Sequence, residues 1–304
     1  MEARYVNPFT DFGFKKLFGE EASKPSLIDF LNSLLPANAQ IRNLSFKNSE
    51  QLGATWDERK AVFDIYCEDE NGEKFIVELQ KAKQDFFRER TIFYSTFPIA
   101  EQAKQGKDWN FNLTAVYCIG ILDFTFSDYN EEADRHQIKH EIKLRYPDGS
   151  TFYDKLTYIY LEMPNFSKTE SELDSRLDKW LYFIKHLKEF QDIPIIFRNE
   201  VLFLSAFEKA EVAKYTPEEK YNYTQSLKNY WDLVNVMNSA VGKASRENFE
   251  KGLEVGMEKG IEIGKEKGIE EGVARVARAM KLKGITPEII SETTGLTIEE
   301  LANL

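Results

Sequence analysis

AVFDIYCEDENGEKFIVELQ, residues 61–80, consists of two alternating runs, 61–68 and 74–80, joined through Glu70-Asn71-Gly72, the pattern of a β-hairpin. If Asn71-Gly72 formed a two-residue turn, Asp64 would face Leu79 and Phe63 would face Gln80, mixing polar and apolar side chains on both faces. A three-residue loop Glu70-Asn71-Gly72, with Gly72 in the left-handed conformation, sorts them instead. Phe63 then pairs with Leu79, Ile65 with Val77 and Cys67 with Phe75, making one apolar face. On the other face Asp64 stands opposite Glu78, with Cβ atoms about 4.5–5.5 Å apart, and Gln80 points the same way.

Two carboxylates aimed at one point repel unless something positive lies between them. A divalent cation would supply that charge. An exposed hairpin face with Lys74 and Lys81 as ordinary counter-charges would also accommodate the pair, and the hairpin by itself leaves both readings open.

Outward from the hairpin, the chain alternates between periods. Residues 9–35 carry Phe14, Leu17 and Phe18, then Leu27, Phe30, Leu31 and Leu34, at helical spacing on either side of a break from Gly19 to Pro25, which predicts two helices. A helix is expected at about 85–105, a strand at 113–122, and strands at 138–146 and 156–163 joined by the turn sequence Pro147-Asp148-Gly149-Ser150. Helix, hairpin, helix, strand gives an α/β class with a mixed sheet. Further helices are expected at about 170–190, 200–213 and 217–240, the last opening on Thr216 as cap, Pro217, Glu218 and Glu219.

The chain has 304 residues, a hydrophobic content of 42% and only 9 prolines and 16 glycines, which excludes collagen-like and wholly disordered classes. No run approaches the roughly 20 apolar residues of a membrane span, and a cytoplasmic location is the expectation. Cys67 and Cys118 lie in apolar runs and read as buried, reduced thiols. His136, His140 and His186 are the only histidines; the strand pattern around the first two does not place them on a helix face as a zinc site would require. The net charge of −11 gives no footprint for passive coating of nucleic acid, so contact with a polyanion must be local or rest on bound cations.

From about residue 245 the texture changes. Gly252, Gly256, Gly260, Gly264, Gly268 and Gly272 recur every fourth residue among Glu and Lys. At about 1 kcal/mol each relative to alanine, they make an isolated helix marginal, and the segment reads as a charged, solvated arm with a thin apolar stripe of Leu253, Met257, Ile261 and Ile269. Residues 273–304 have helix-turn-helix proportions, broken at Gly284 and Gly295, but Glu299 and Glu300 occupy the helix that would read bases, which favours a packing or protein-contact role.

The spacing Asp64, then Glu78-Leu79-Gln80, resembles the PD-(D/E)XK nuclease superfamily in an E-x-Q variant. NPFTDFGFKKLFG near the start, FNLTAVYCIGILDF in the middle, the glycine-every-four segment and the final TGLTIEEL are similar to the PD-(D/E)XK nuclease family transposases over nearly the whole chain. The resemblance implies a restriction-endonuclease-like mixed sheet flanked by helices, a helical C-terminal region, and Mg²⁺-dependent hydrolysis of DNA, with Mn²⁺ as a substitute. It makes Asp64 and Glu78 metal ligands and puts Gln80 in the place of the usual lysine, positioning water or phosphate. Asp11, in a D-x-x-F-K stretch with Lys15, matches the first-helix motif, as a further metal contact or a structural cap.

Phe63 replaces the proline before Asp64, which a strand interior disfavours in any case. Gln80 brings no charge, and Lys15, Lys16, Lys83, Arg88 and Arg90 lie on flanking segments. Arg90 and Tyr94 sit four apart on one face of the following helix: either could touch phosphate, Arg90 being the better candidate, and the alternative reading makes Tyr94 core packing and Arg90 a surface charge.

The expected organisation is a nuclease core over 1–165, a helical region packed on it over 166–244, the arm over 245–272 and a small helical tail over 273–304. The expected partner is DNA, with no membrane, and a homodimer is the common solution for cutting both strands. The rival readings are a catalytically silent DNA-binding relative and an interaction protein acting through its C-terminal arm.

Overall fold

The hairpin takes the three-residue loop. In the computed structural model, which describes residues 3–51, 61–83, 86–103, 111–126 and 136–303, strand β4 (Ile65–Asp69) pairs antiparallel with β5 (Lys74–Gln80) in the register Ile65↔Val77 and Cys67↔Phe75. Gly72 has φ +79°, a conformation that costs a residue with a Cβ. Asp69 fixes the loop, its Oδ1 accepting from the amides of Asn71 at 2.9 Å and Glu73 at 2.8 Å.

Around this hairpin stand β1 (Leu44–Phe46), β6 (Val116–Leu122), β7 (Lys139–Arg145) and β8 (Thr151–Glu162), in the order β1-β4-β5-β6-β8-β7. The contacts β5–β6 and β6–β8 are parallel and the others antiparallel. All seven residues of β6 are buried, the unbroken apolar run of a parallel strand covered on both faces. A separate two-stranded ribbon joins β2 (Glu50–Gln51) to β3 (Ala61–Val62).

One face of the sheet, with Ile65, Cys67, Phe75, Val77 and Leu79, packs on α1 (Asp11–Phe14), α2 (Lys24–Leu34), α4 (Arg176–His186) and α5 (Val201–Ala210), where Phe14, Phe18, Phe30 and Trp180 are fully buried. The other face, with Tyr66, Ile76, Val116, Cys118, Tyr158 and Tyr160, lies under α3 (Phe87–Glu101). Thr91 and Ser95 peg that helix to the sheet through the hydroxyls of Tyr160, at 2.6 Å, and Tyr158, at 2.8 Å. The flanks of the helix expected at 85–105, at 85 and 104–105, fall outside the described residues.

Phe63 corrects the apolar face drawn from alternation alone. It packs with Tyr66 and Tyr94 on the α3 side, because the ladder ends at Ile65↔Val77 and the chain breaks stride at Asp64. Both cysteines are buried free thiols.

The chain forms two units, Met1–Asn235 and Val236–Leu304. Thr216 and Glu219 cap each other's amides at the start of α6, which runs from Pro217 to Leu282. The helix expected to stop near 240 therefore continues through the arm. Nucleation is the costly step, and the residues between the glycines are good helix formers.

Met257 and Ile269 are exposed; the side chains of Leu253 and Ile261 lie outside the described ones. In the second unit Ala277, Ile290 and Leu301 form a small core with α7 (Pro287–Thr294) and α8 (Ile298–Ala302). No helix among the described residues is long and apolar enough to cross a membrane.

Candidate active site

Asp64 lies one residue beyond the last ladder pair, and there backbone pairing gives way to a reciprocal clasp. The Asp64 amide donates to Glu78 Oε1 at 3.3 Å, and the Leu79 amide donates to Asp64 Oδ2 at 2.7 Å. Each carboxylate is thus tied to the other's strand. Both are part-buried: burial, followed by the charge of Asp64, pushes the Glu78 carboxyl up to about 8. Burial also raises the Asp64 carboxyl, against the pull of the Leu79 amide, and the charge of Asp11 raises it further.

Parallel pairing sets Glu78 beside Gly120 of β6, and Gly120 beside Tyr160 of β8. A Cβ at 120 would come within 2.9 Å of Tyr160 Cδ1, so the ring lies over the backbone where only glycine leaves room. A narrow cleft lined by Glu78, Thr91, Tyr94, Gly120 and Tyr160 opens here under α3. A larger cavity, about 480 Å³, lies at Arg88, Phe126, His140 and Tyr158, toward β7.

Gln80 shares the face of Glu78 two residues on and is buried, at 8% exposure. Its carbonyl accepts a hydrogen bond from Arg90 Nη2 on α3, and its amino group donates to the Ala82 carbonyl at 3.2 Å. The Arg90 guanidinium lies 5.6 Å from the Tyr94 ring centroid and 5.9 Å from that of Phe87. Tyr94 also packs edge-on against Phe63, centroids 5.3 Å apart.

From the opposite side, Asp11 and Lys15 form an ion pair at 2.9 Å, both about half exposed, within electrostatic reach of Asp64. The helix cap here is Thr10, whose hydroxyl accepts from the Gly13 amide at 3.0 Å. Asp11 follows that cap in the first turn of the helix.

Lys81, read from the sequence as a plain counter-charge, is half-buried near Asp64 and Asp11, and burial lowers its ammonium. Its only sequence signal is adjacency to Gln80. Lys74 is elsewhere, paired with Glu68 at 2.8 Å. Among the described residues no group of three or more His, Cys, Asp or Glu side chains gathers to hold a metal; the carboxylates at the hairpin are a pair.

A mixed sheet flanked by helices, with two carboxylates brought together at a strand end, is the form of a restriction-endonuclease-like domain. The sequence profile of the PD-(D/E)XK nuclease family transposases matches residues 8–240, and the chain belongs to that family. The family gives it a nuclease-like, transposition-related role and implies a DNA substrate. Comparison with curated proteins and with solved structures gives no match.

Proposed function

We propose that the chain is a metal-dependent endodeoxyribonuclease, using Mg²⁺ with Mn²⁺ as a substitute, that hydrolyses DNA phosphodiester bonds in transposition or recombination. The supporting observation is the Asp64–Glu78 clasp: two part-buried carboxyls, both raised, each bonded to the backbone amide beside the other. Such a pair is unfavourable without a cation, and its hard oxygen donors suit a hard divalent ion. Asp64 and Glu78 would hold the ion, with water and phosphate oxygens completing a shell that two carboxylates leave open.

Bound there, a divalent cation makes water nucleophilic at neutral pH and stabilises charge developing on phosphate oxygens. Lys15, Lys81 and Arg90 give this part of an acidic chain local positive charge for the backbone of a nucleic acid. Tyr94 supports Arg90 and Phe63 from α3.

The test is nicking and linearisation of supercoiled plasmid by wild type and Glu78→Ala, each with Mg²⁺, Mn²⁺, Ca²⁺ or EDTA. Cleavage by wild type in Mg²⁺ or Mn²⁺, abolished by EDTA and reduced at least about 10²-fold in Glu78→Ala, is the expected outcome. A wild type inert in every metal, or a Glu78→Ala protein that cuts as well, would overturn the reading.

A further inference from the structure

Gln80 occupies the position at which a lysine would put positive charge beside Glu78, yet it is neutral and its side chain is already engaged. Both ends of the amide are bonded, the carbonyl to Arg90 and the amino group to Ala82, and the side chain is buried. It is poorly placed to orient a water.

We infer that Gln80 is a positioning residue whose amide holds Arg90, and that the Arg90 guanidinium supplies the positive charge facing the phosphate to be cleaved. The inference rests on the proposed nuclease reading and deepens it.

Among the described residues, three contacts hold the guanidinium. Gln80 accepts from it at the end of β5, and the rings of Phe87 and Tyr94, one on each side in sequence along α3, lie within 6 Å of its carbon. Its charge reaches Glu78, whose carboxyl it draws downward against the effect of burial. Lys15 is differently placed, tied to Asp11 and half exposed, and Lys81 acts on Asp64 and Asp11 from beyond Gln80. Arg90 alone among the three hydrogen-bonds the residue in the lysine position.

The pairing also explains why that residue is glutamine. A lysine at 80 would set an ammonium against the guanidinium, whereas an amide carbonyl accepts from it and keeps its planar fork oriented. The charge has moved from the strand to the helix packed over it.

The experiment compares wild type, Arg90→Ala, Arg90→Lys, Gln80→Ala, Gln80→Lys and the double variant Gln80→Lys/Arg90→Ala. Single-turnover cleavage is measured in Mg²⁺ or Mn²⁺. Separately, duplex affinity is measured in Ca²⁺ as a function of salt, and thermal melting checks folding. Arg90→Ala should lose roughly 10²–10³-fold in rate, and Gln80→Ala roughly 10–100-fold, as removal of an outer-shell partner does.

Gln80→Lys alone should be slower than wild type, and adding it to Arg90→Ala should recover at least about tenfold by restoring one charge beside the phosphate. The salt slope of binding should shrink by about one in Arg90→Ala and return in the double variant and in Arg90→Lys. A Gln80→Lys protein as fast as wild type, or a double variant no better than Arg90→Ala in rate and slope, would overturn the inference. If wild type cuts in no metal, the nuclease reading fails, while the salt slopes still decide whether Gln80 and Arg90 act as a pair on the backbone.

Discussion

Glu78 keeps a proton that an exposed glutamate would release. Its ordinary value of 4.5 is raised to about 8 by burial and by Asp64, so over that interval the folded chain binds the proton that the unfolded chain has lost. The stability this contributes is fully present below 4.5 and disappears as pH rises through about 8. In EDTA the wild type should therefore be less stable at pH 8.5 than at pH 5.5, by on the order of 2–4 kcal/mol from this group, and melt at a lower temperature. Glu78→Gln should flatten the slope, and Mg²⁺ should stabilise the wild type more at pH 8.5 than at pH 5.5, since ligation requires the deprotonated carboxyl. Melting curves across that range check all three, and an unchanged slope in Glu78→Gln would refute the assignment.

The hairpin β4–β5 is the element on which that residue depends. Its register was readable because Gly72 marks the loop and the alternation is strict on both sides. Gly72→Ala should cost about 1–2 kcal/mol, because φ +79° strains a residue with a Cβ, while Gly72→Asn should cost less. The nearest atom to a Cβ there is Thr114 Cγ2 at 3.6 Å, so crowding does not contribute; chemical denaturation of both variants measures the difference.

Legibility ended where the ladder ended. Phe63 changes faces because the Asp64 carboxylate takes the Leu79 amide instead of continuing the strand, and no period-two pattern signals that exchange. β1 is three residues long, too short for periodicity to register. Asp64, Glu78 and Gln80 were visible as a spacing, whereas the bond from Gln80 to Arg90 joins a strand end to a helix through side-chain directions that the sequence does not encode locally.

At the scale of the whole chain, the glycine-rich part of α6 shows how little composition says about continuity. Glycine every fourth residue reads as a spacer, yet the backbone is helical from Pro217 to Leu282. Nothing lies within 4 Å of a Cβ built at Gly256, Gly260 or Gly264. Replacing these three by alanine should therefore strengthen the helix by up to about 1 kcal/mol per site. Hydrogen exchange over residues 250–272 should slow, with plasmid cleavage unchanged; faster exchange would show that the glycines serve a packing purpose.

The order of assembly of the first unit follows from its sheet. Asp64 adjoins β4 and Glu78 lies on β5, and a tight loop joins those strands, so these carboxylates meet in an event of about 1–10 μs. The parallel neighbours β6 and β8, which come later in the chain, dock more slowly because their loops are long. The two negative charges therefore come together while still hydrated, when their repulsion is weak, and the cost of enclosing them falls on the later docking of the parallel strands.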